Sequence, residues 1–347
     1  MIVIHHVTTY LLPTSSLLLS QHTALFSNSY LWVDTFFILS GFILTHVYKK
    51  QSLSKNNYLI FIISRFARIY PLHFVVLLSL AALETMRYVI DGSGFGSTRS
   101  IESLLENTFL LQAIQIDARS TTWNHPSWTI SAEWHVYLLF PIILALIKKI
   151  NLLQQTIILF LSFSVLFFVN RATQWELDVT GYLGLTRCLF EALIGSTTYI
   201  LINSRTSKRE YIIPKHSPLI IIAIILLTLH YDFIDLFIVS LMLILVTTLF
   251  LENKNHNSAL KSRPLIYLGN ISYSIYITHF LTFEVMRIFT SQILNFNIAN
   301  INTPALLIIS GILTVCIVIL TSIATYNFIE VPIRTYIKNK LNNTKRI

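Results

Sequence analysis

The sequence does not alternate apolar with polar residues; its apolar side chains run on in long blocks. Blocks near 1–20, 31–48, 70–90, 128–147, 154–170, 181–202, 217–232, 235–251, 266–289 and 305–330 are almost continuously apolar. About 20 such residues let one helix cross a hydrocarbon core of ~30 Å. The pattern therefore predicts an all-α fold, a polytopic integral membrane bundle of about ten transmembrane helices. The even count puts both termini on one side. The longest linker, about 91–126, holds Gly92, Gly94 and Gly96 and then a weakly amphipathic stretch near 101–116. The first block makes a poor helix, with His5, His6, Thr8, Thr9 and Pro13 inside it. It lacks the basic leader and small-residue cleavage site of a signal peptide. Its opening turns, and a basic residue among them, are expected upstream of Met1.

Composition agrees with this pattern and narrows the class. Hydrophobic residues make up 54% of the chain and charged residues 12%, where a soluble domain carries roughly 25% charged. Mean hydropathy is +0.65. A soluble enzyme, a disordered chain and a disulfide scaffold are excluded. Cys188 and Cys316 sit inside apolar blocks and read as small hydrophobes. With no HxxxH or HExxH spacing, no metal site and no permanently bound cofactor are expected.

The net charge of +9 would suggest nucleic acid in a soluble protein, but its distribution argues otherwise. Lys49, Lys50, Lys55, Arg65 and Arg68 follow the second block; Lys148 and Lys149 follow the fourth. Arg205, Lys208, Arg209 and Lys215 follow the sixth, and Lys254, Lys261 and Arg263 the eighth. Arg334, Lys338, Lys340, Lys345 and Arg346 follow the tenth. The remaining arginines are Arg87, Arg99, Arg119, Arg171, Arg187 and Arg287. The positive-inside rule makes the basic side cytoplasmic, and both termini with it. The expected organisation is a single transmembrane domain over 1–335 and a short basic cytoplasmic tail over 336–347, in a bacterial inner membrane. No internal repeat is evident, which weighs against an inverted-repeat transporter.

Ionisable groups inside membrane spans are functional candidates by default, because lipid makes them expensive. Here they are His6, Asp34, Glu133, His135, Arg187, Glu191, His279, Glu284, Arg287 and Glu330. Arg187 and Glu191, four apart, are expected to neutralise each other, and Glu284 and Arg287, three apart, likewise. Ser40-Gly41 would admit a second helix at close range. Arg65 and Arg68 share a helix face, where two guanidinium forks suit phosphate groups or serve as membrane anchors. Buried Asp34, Glu133 and His279 are also compatible with a transporter or flippase, the competing reading.

Several segments in order carry a family resemblance. Trp32-Val-Asp34-Thr-Phe-Phe-Ile-Leu-Ser40-Gly41-Phe42, Arg65-Phe-Ala-Arg68-Ile-Tyr70-Pro71 and Ser127-Trp128-Thr-Ile-Ser131-Ala-Glu133-Trp-His-Val-Tyr137 come first. Gly269-Asn-Ile-Ser272-Tyr273-Ser-Ile-Tyr276-Ile-Thr-His279 and Tyr326-Asn-Phe-Ile-Glu330-Val-Pro332 complete the set. Together they resemble the acyltransferase 3 family of membrane O-acyltransferases from end to end. The resemblance implies that His6 is the catalytic histidine, with His5 the runner-up, and that Arg65, Arg68 and Tyr70 contact acyl-coenzyme A. It places Asp34, Trp128, Ser131, Glu133, Tyr273, His279 and Glu330 at motif positions, Asp34 and Glu133 as catalytic residues beside the histidine and the others in substrate-binding or structural roles. The family arginine about eleven positions before the histidine has no counterpart here.

The implied reaction is transfer of an acyl group, acetyl by default, from cytosolic acyl-coenzyme A to a hydroxyl. The implied acceptor is an extracytoplasmic or lipid-linked glycan, which points to O-acetylation in polysaccharide biosynthesis. Expected partners are acyl-coenzyme A as co-substrate, the glycan, membrane lipid and polysaccharide-assembly proteins, with no nucleic acid. The chemistry fits: an attacking alcohol needs a base with a near-neutral pKa, and imidazole has one. A carboxylate packed on His6, Asp34 or Glu133, would fix its tautomer. Direct transfer and an acyl-histidine relay both stay open.

Overall fold

The computed structural model describes residues 1–92, 94–116, 121–206, 214, 216–252 and 262–344. Arg119, Lys208, Arg209, Lys215, Lys254, Lys261, Lys345 and Arg346 lie outside the described residues.

Each of the ten apolar blocks is helical, and the described residues contain no strand. Seven helices are long and apolar enough to cross a membrane, or eight if a bent pair counts as one span. The expected ten is therefore not reached by length and composition, and three blocks account for the difference. The first block breaks: α1 (Ile2–His6) runs through a π-helical turn, Val7–Leu11, and α2 (Pro13–Ser20) leaves at 112°. Pro13 at the start of α2 has no N–H to give, and it drives Leu12 out of helical geometry to φ −124°. The seventh block, α9 (Ser217–His230), has only 14 residues. The ninth, α11 (Arg263–Ile288), is 26 residues long but too polar to qualify, since it carries much of the site described below.

The remaining spans are α3 (Trp32–Tyr48), α4 (Lys55–Asp91), α6 (Ser127–Ile147), α7 (Leu152–Ala172), α8 (Gly181–Thr206), α10 (Asp235–Glu252) and α12 (Pro304–Thr325). Short α5 (Ile101–Thr108) occupies the amphipathic part of the long linker, and α13 (Val331–Thr344) continues α12 through a π-helical turn, Tyr326–Glu330. α13 runs unbroken across position 335. Local chemistry sets the helix ends. Ser54 accepts from the Asn57 N–H at the start of α4, and Asn151 with Gln154 forms a capping box on α7. Gly92 closes α4 at φ 72°, the left-handed conformation that only glycine adopts without strain.

The 37 residues of α4 extend for about 55 Å, far more than a bilayer core. Arg65 and Arg68 lie in the first half of this one continuous helix, ahead of Pro71. The basic ends meet: Lys148 Nζ donates to the carbonyls of Lys49 and Gln51 at 3.0 and 2.9 Å, and Lys49 Nζ donates to Asn203 Oδ1 at 2.8 Å. The basic linkers after α3 and α6 thus meet at one end of the bundle, beside the end of α8.

Packing divides the bundle into two groups joined by α6. In the first, α3 crosses α8 at its centre, with α7, α9 and α10 around them. In the second, α4, α11, α12 and α13 pack together, with α1 against α11 and α12. Glycine makes the α3–α8 crossing: a Cβ on Gly41 would lie 2.0 Å from the Ala192 carbonyl oxygen, and one on Gly195 would lie 2.0 Å from that of Ile38. Ser196 Oγ adds a hydrogen bond to the Gly41 carbonyl at 3.1 Å. The close approach expected at Ser40-Gly41 is there. Large apolar side chains such as Leu153, Phe160, Phe168, Ile308 and Leu320 cover the outside, as lipid contact requires. The chain is an integral membrane protein.

Candidate active site

Where the two helix groups face each other they enclose two cavities. The first, about 260 Å³, is lined by Arg65, Arg68 and Ile69 of α4, Ser40 and its neighbours on α3, Glu133 and Tyr137 of α6, and Tyr273 and Tyr276 of α11. The second, about 580 Å³, is lined by His5, His6 and Tyr10, by Ser27 and Tyr30 before α3, by His125 and Trp128 at α6, and by Asp178, Thr180 and Arg187 near α8. Val33 and Tyr276 belong to both linings. The cavities meet at these two side chains, one running toward the basic end and the other toward the opposite end.

The arginine cavity treats its two cations differently. Arg68 forms an ion pair with buried Glu330, which also accepts from Ser274 Oγ at 2.8 Å and faces Arg334 at 3.4 Å. Arg65 has no such carboxylate, and its buried Nε has no hydrogen-bond partner among the described residues. Its guanidinium lies 5.9 Å from the Phe61 ring centre. Tyr273 donates to the Ile69 carbonyl, tying α11 to α4 beside the cavity. Tyr70 does not line it. Its hydroxyl donates to the Thr108 carbonyl at 3.0 Å and its ring stacks on Phe66, so the structure places it among positioning contacts rather than with the arginines.

The histidine cavity holds a hydrogen-bonded imidazole pair. His6 Nδ1 and His279 Nε2 are 2.7 Å apart, with ring planes 13° from parallel. His279 Nδ1 lies 3.3 Å from the Ile275 carbonyl oxygen, which can only accept. The chain of donors then has one direction. Nδ1–H of His279 goes to the carbonyl, its Nε2 accepts from Nδ1–H of His6, and the basic lone pair of His6 is left on Nε2. The ring of His125 is 5.1 Å from that of His6, and its Nε2 is 2.6 Å from the Tyr10 hydroxyl. His5 points elsewhere, its Nδ1 at 2.7 Å from the Phe26 carbonyl. Adjacent helical residues point about 100° apart, so only one of the two can address His279.

The carboxylate expected beside His6 is thus replaced by an imidazole. Asp34 is fully buried and clamped by Arg187, through Nε at 2.8 Å and through Nη2. Arg187 Nη1 donates to the Leu177 carbonyl at 2.6 Å, and Glu191 Oε1 lies 3.4 Å from Nε. The expected Arg187–Glu191 pair is therefore a triad whose closest member is Asp34, because α3 and α8 cross at glycines and bring the two charges together. Glu133 accepts from Tyr137 at 3.1 Å in the other cavity. Ser131 works on the backbone: its Oγ donates to the Leu110 carbonyl at 2.5 Å and accepts from the Ala113 N–H at 3.0 Å. Trp128 lies on the wall of the histidine cavity against Gly184 and Phe37.

The sequence patterns do not single out Tyr10 or His125, and they mark Tyr276 only as part of the Gly269–His279 segment. Tyr10 is one turn after His6 on the same face, and Tyr276 one turn before His279, which was the available signal. His125 sits in a loop, where periodicity says nothing. Glu284 does pair with Arg287 at 3.5 Å, but also with Arg99 at 2.9 Å, which shares its other side with Glu84.

The family described as an acyltransferase domain matches residues 1–323. The acyltransferase MdmB of Streptomyces mycarofaciens is 32% identical over 120 residues, 34% of this chain and 29% of that protein. Protein 2 in the picA locus of Rhizobium radiobacter is 44% identical over 66 residues, 18% of this chain and 34% of that one. The chain thus spans about a third of the length of each of these relatives. No solved structure matches it.

Proposed function

Because the chain belongs to the acyltransferase 3 family, we propose that it moves an acyl group from cytosolic acyl-coenzyme A to a hydroxyl of an extracytoplasmic or lipid-linked glycan. The observation that carries this reading is the shared wall of the two cavities. A cationic cavity opens toward the basic end, a histidine cavity toward the opposite end, and Val33 and Tyr276 stand between them. Arg65, whose Nε has no hydrogen-bond partner among the described residues, supplies charge-assisted contacts to the phosphates of coenzyme A. Arg68 adds a second charge from its pair with Glu330. The thioester then reaches the junction from one side and the acceptor hydroxyl from the other.

His6 acts there as general base. Its Nε2 takes the proton of the acceptor hydroxyl while the oxygen attacks the thioester carbonyl. The carbon–sulfur bond then breaks, and the departing thiolate of coenzyme A takes the proton back from the imidazolium. His279 is a positioning residue that holds the productive tautomer, the task a carboxylate has in the serine hydrolase triad. The name of the Streptomyces relative, an acyltransferase, supports acyl transfer and specifies no acceptor.

The test is direct. Purified protein in nanodiscs is incubated with labelled acetyl-coenzyme A, with and without a glycan acceptor. Release of free coenzyme A that depends on His6 supports the reading. Inertness of a folded preparation toward every acyl-coenzyme A rejects it.

A further inference from the structure

The arginine cavity opens sideways as well as toward the basic end. Phe36, Leu39 and Ile43 of α3 line it, yet they keep 45%, 36% and 42% of their surface exposed. A side chain that lines a cavity and is also exposed on the outside of the bundle marks a mouth. α3 takes its main contacts from α8 and α10, and α11 takes its own from α4 and α12, so the gap between α3 and α11 is the cavity itself. Across that gap the rings of Phe36 and Tyr276 face each other at 6.5 Å. In a membrane-crossing chain this exposed face meets lipid tails.

The mouth has a polarity. It begins at Phe36, level with the junction of the two cavities, and follows α3 for about 10 Å to Ile43. The cavity behind it adds apolar Val33, Phe37, Leu44 and Ile130 beside polar Ser40, Thr129, Glu133 and Ser272. The cations stand apart from it on α4. A coenzyme A held by its phosphates at Arg65 and reaching Tyr276 with its thioester would present its acyl tail to this opening. An acetyl group needs no such exit.

Resting on the donor reading above, we propose that the opening between α3 and α11 is an acyl-chain slot, and that the donor class includes medium- and long-chain fatty acyl-coenzyme A. The thioester sits at Val33 and Tyr276, and the tail passes Phe36 and Leu39 into the lipid. Each methylene that leaves water on the way tightens binding by about fourfold.

Competition binding of acetyl-, hexanoyl- and decanoyl-coenzyme A to the protein in nanodiscs, corrected with empty discs, tests this. Affinity should rise steeply along the series. Leu39→Trp, which fills the mouth, should collapse the decanoyl-to-acetyl ratio toward one. Leu161→Trp, at an exposed apolar position on distant α7, should leave the ratio high. A wild-type ratio near one overturns the slot and leaves the mouth as a seat for a phospholipid tail. A high ratio that survives Leu39→Trp also overturns it, since the gain then comes from the bilayer. Failure of every acyl-coenzyme A to bind rejects the donor reading itself, a result distinct from acetyl-coenzyme A binding alone.

Discussion

Single side chains decide the chemistry at two points. His6→Ala should leave the protein inserted and abundant, since removing a polar group from a helix in lipid costs little. Acyl transfer should fall by about 10²–10⁴-fold, the usual contribution of a general base. His279→Ala should also be impaired, and His6→Ala/His279→Ala should be no slower than His6→Ala, because residues acting as one unit do not add. Mass spectrometry of acylated product reads all three. An additive double mutant would separate the two imidazoles. The arginines should split as well. Arg65→Ala should raise the KM for acyl-coenzyme A by roughly tenfold or more, from about 1.5–3 kcal/mol per charge-assisted contact, with thermal stability unchanged. Arg68→Ala should lower stability too, because it removes the nearer of the two cations that face buried Glu330 and leaves only Arg334 at 3.4 Å. Steady-state kinetics beside a melting curve distinguishes them, and equal behaviour would remove the assigned difference. The arginine pair was legible in its motif, and the histidine of the first span only through the family resemblance. The partner of His6 was not, because His279 is 273 positions away and periodicity along one helix cannot report what a second helix presents.

Between helices, the α3–α8 crossing holds the frame of the site. Replacing Gly195 by Ala pushes a methyl group against the Ile38 carbonyl. Overpacking of this kind typically costs about 1–3 kcal/mol, and backbone on both sides leaves no flexible side chain to yield. A lowered melting midpoint in detergent, with loss of activity in proportion to folded protein, is the expected result. Arg187→Ala should be worse. It leaves Asp34 and Glu191 buried without their cation, a loss of about 3–5 kcal/mol, and a poorly folded product is expected on size exclusion. Full activity in Arg187→Ala would show that the triad is dispensable. Small residues in span two announced a close approach; which helix came close, and with which charge, had to be seen.

Across the bundle, the gathering of basic linkers at one end makes orientation testable. With Cys188 and Cys316 replaced by Ala, a single cysteine at Asn151 should be labelled only from the cytoplasmic face. One at Glu102 should be labelled only from the outside. Reversal would place the arginine cavity away from cytosolic coenzyme A and overturn the proposed donor. The same view explains the span count. α9 is short and α11 is polar because each is supported by neighbours, and a helix lined with Tyr273, Tyr276, His279 and Glu284 looks unlike a lipid-facing one.

The linear order of residues was enough for the class, the helices and the family. Long apolar runs have one stable form in lipid, and motifs of contiguous residues survive being read singly. Pro13 stood in view as a helix breaker, but the 112° angle of the break had to be seen. The imidazole pair, the buried Asp34–Arg187 clamp and the two cavities meeting at Tyr276 lay beyond such reading. Each joins residues from helices far apart in sequence, and helix packing rather than local periodicity sets those distances.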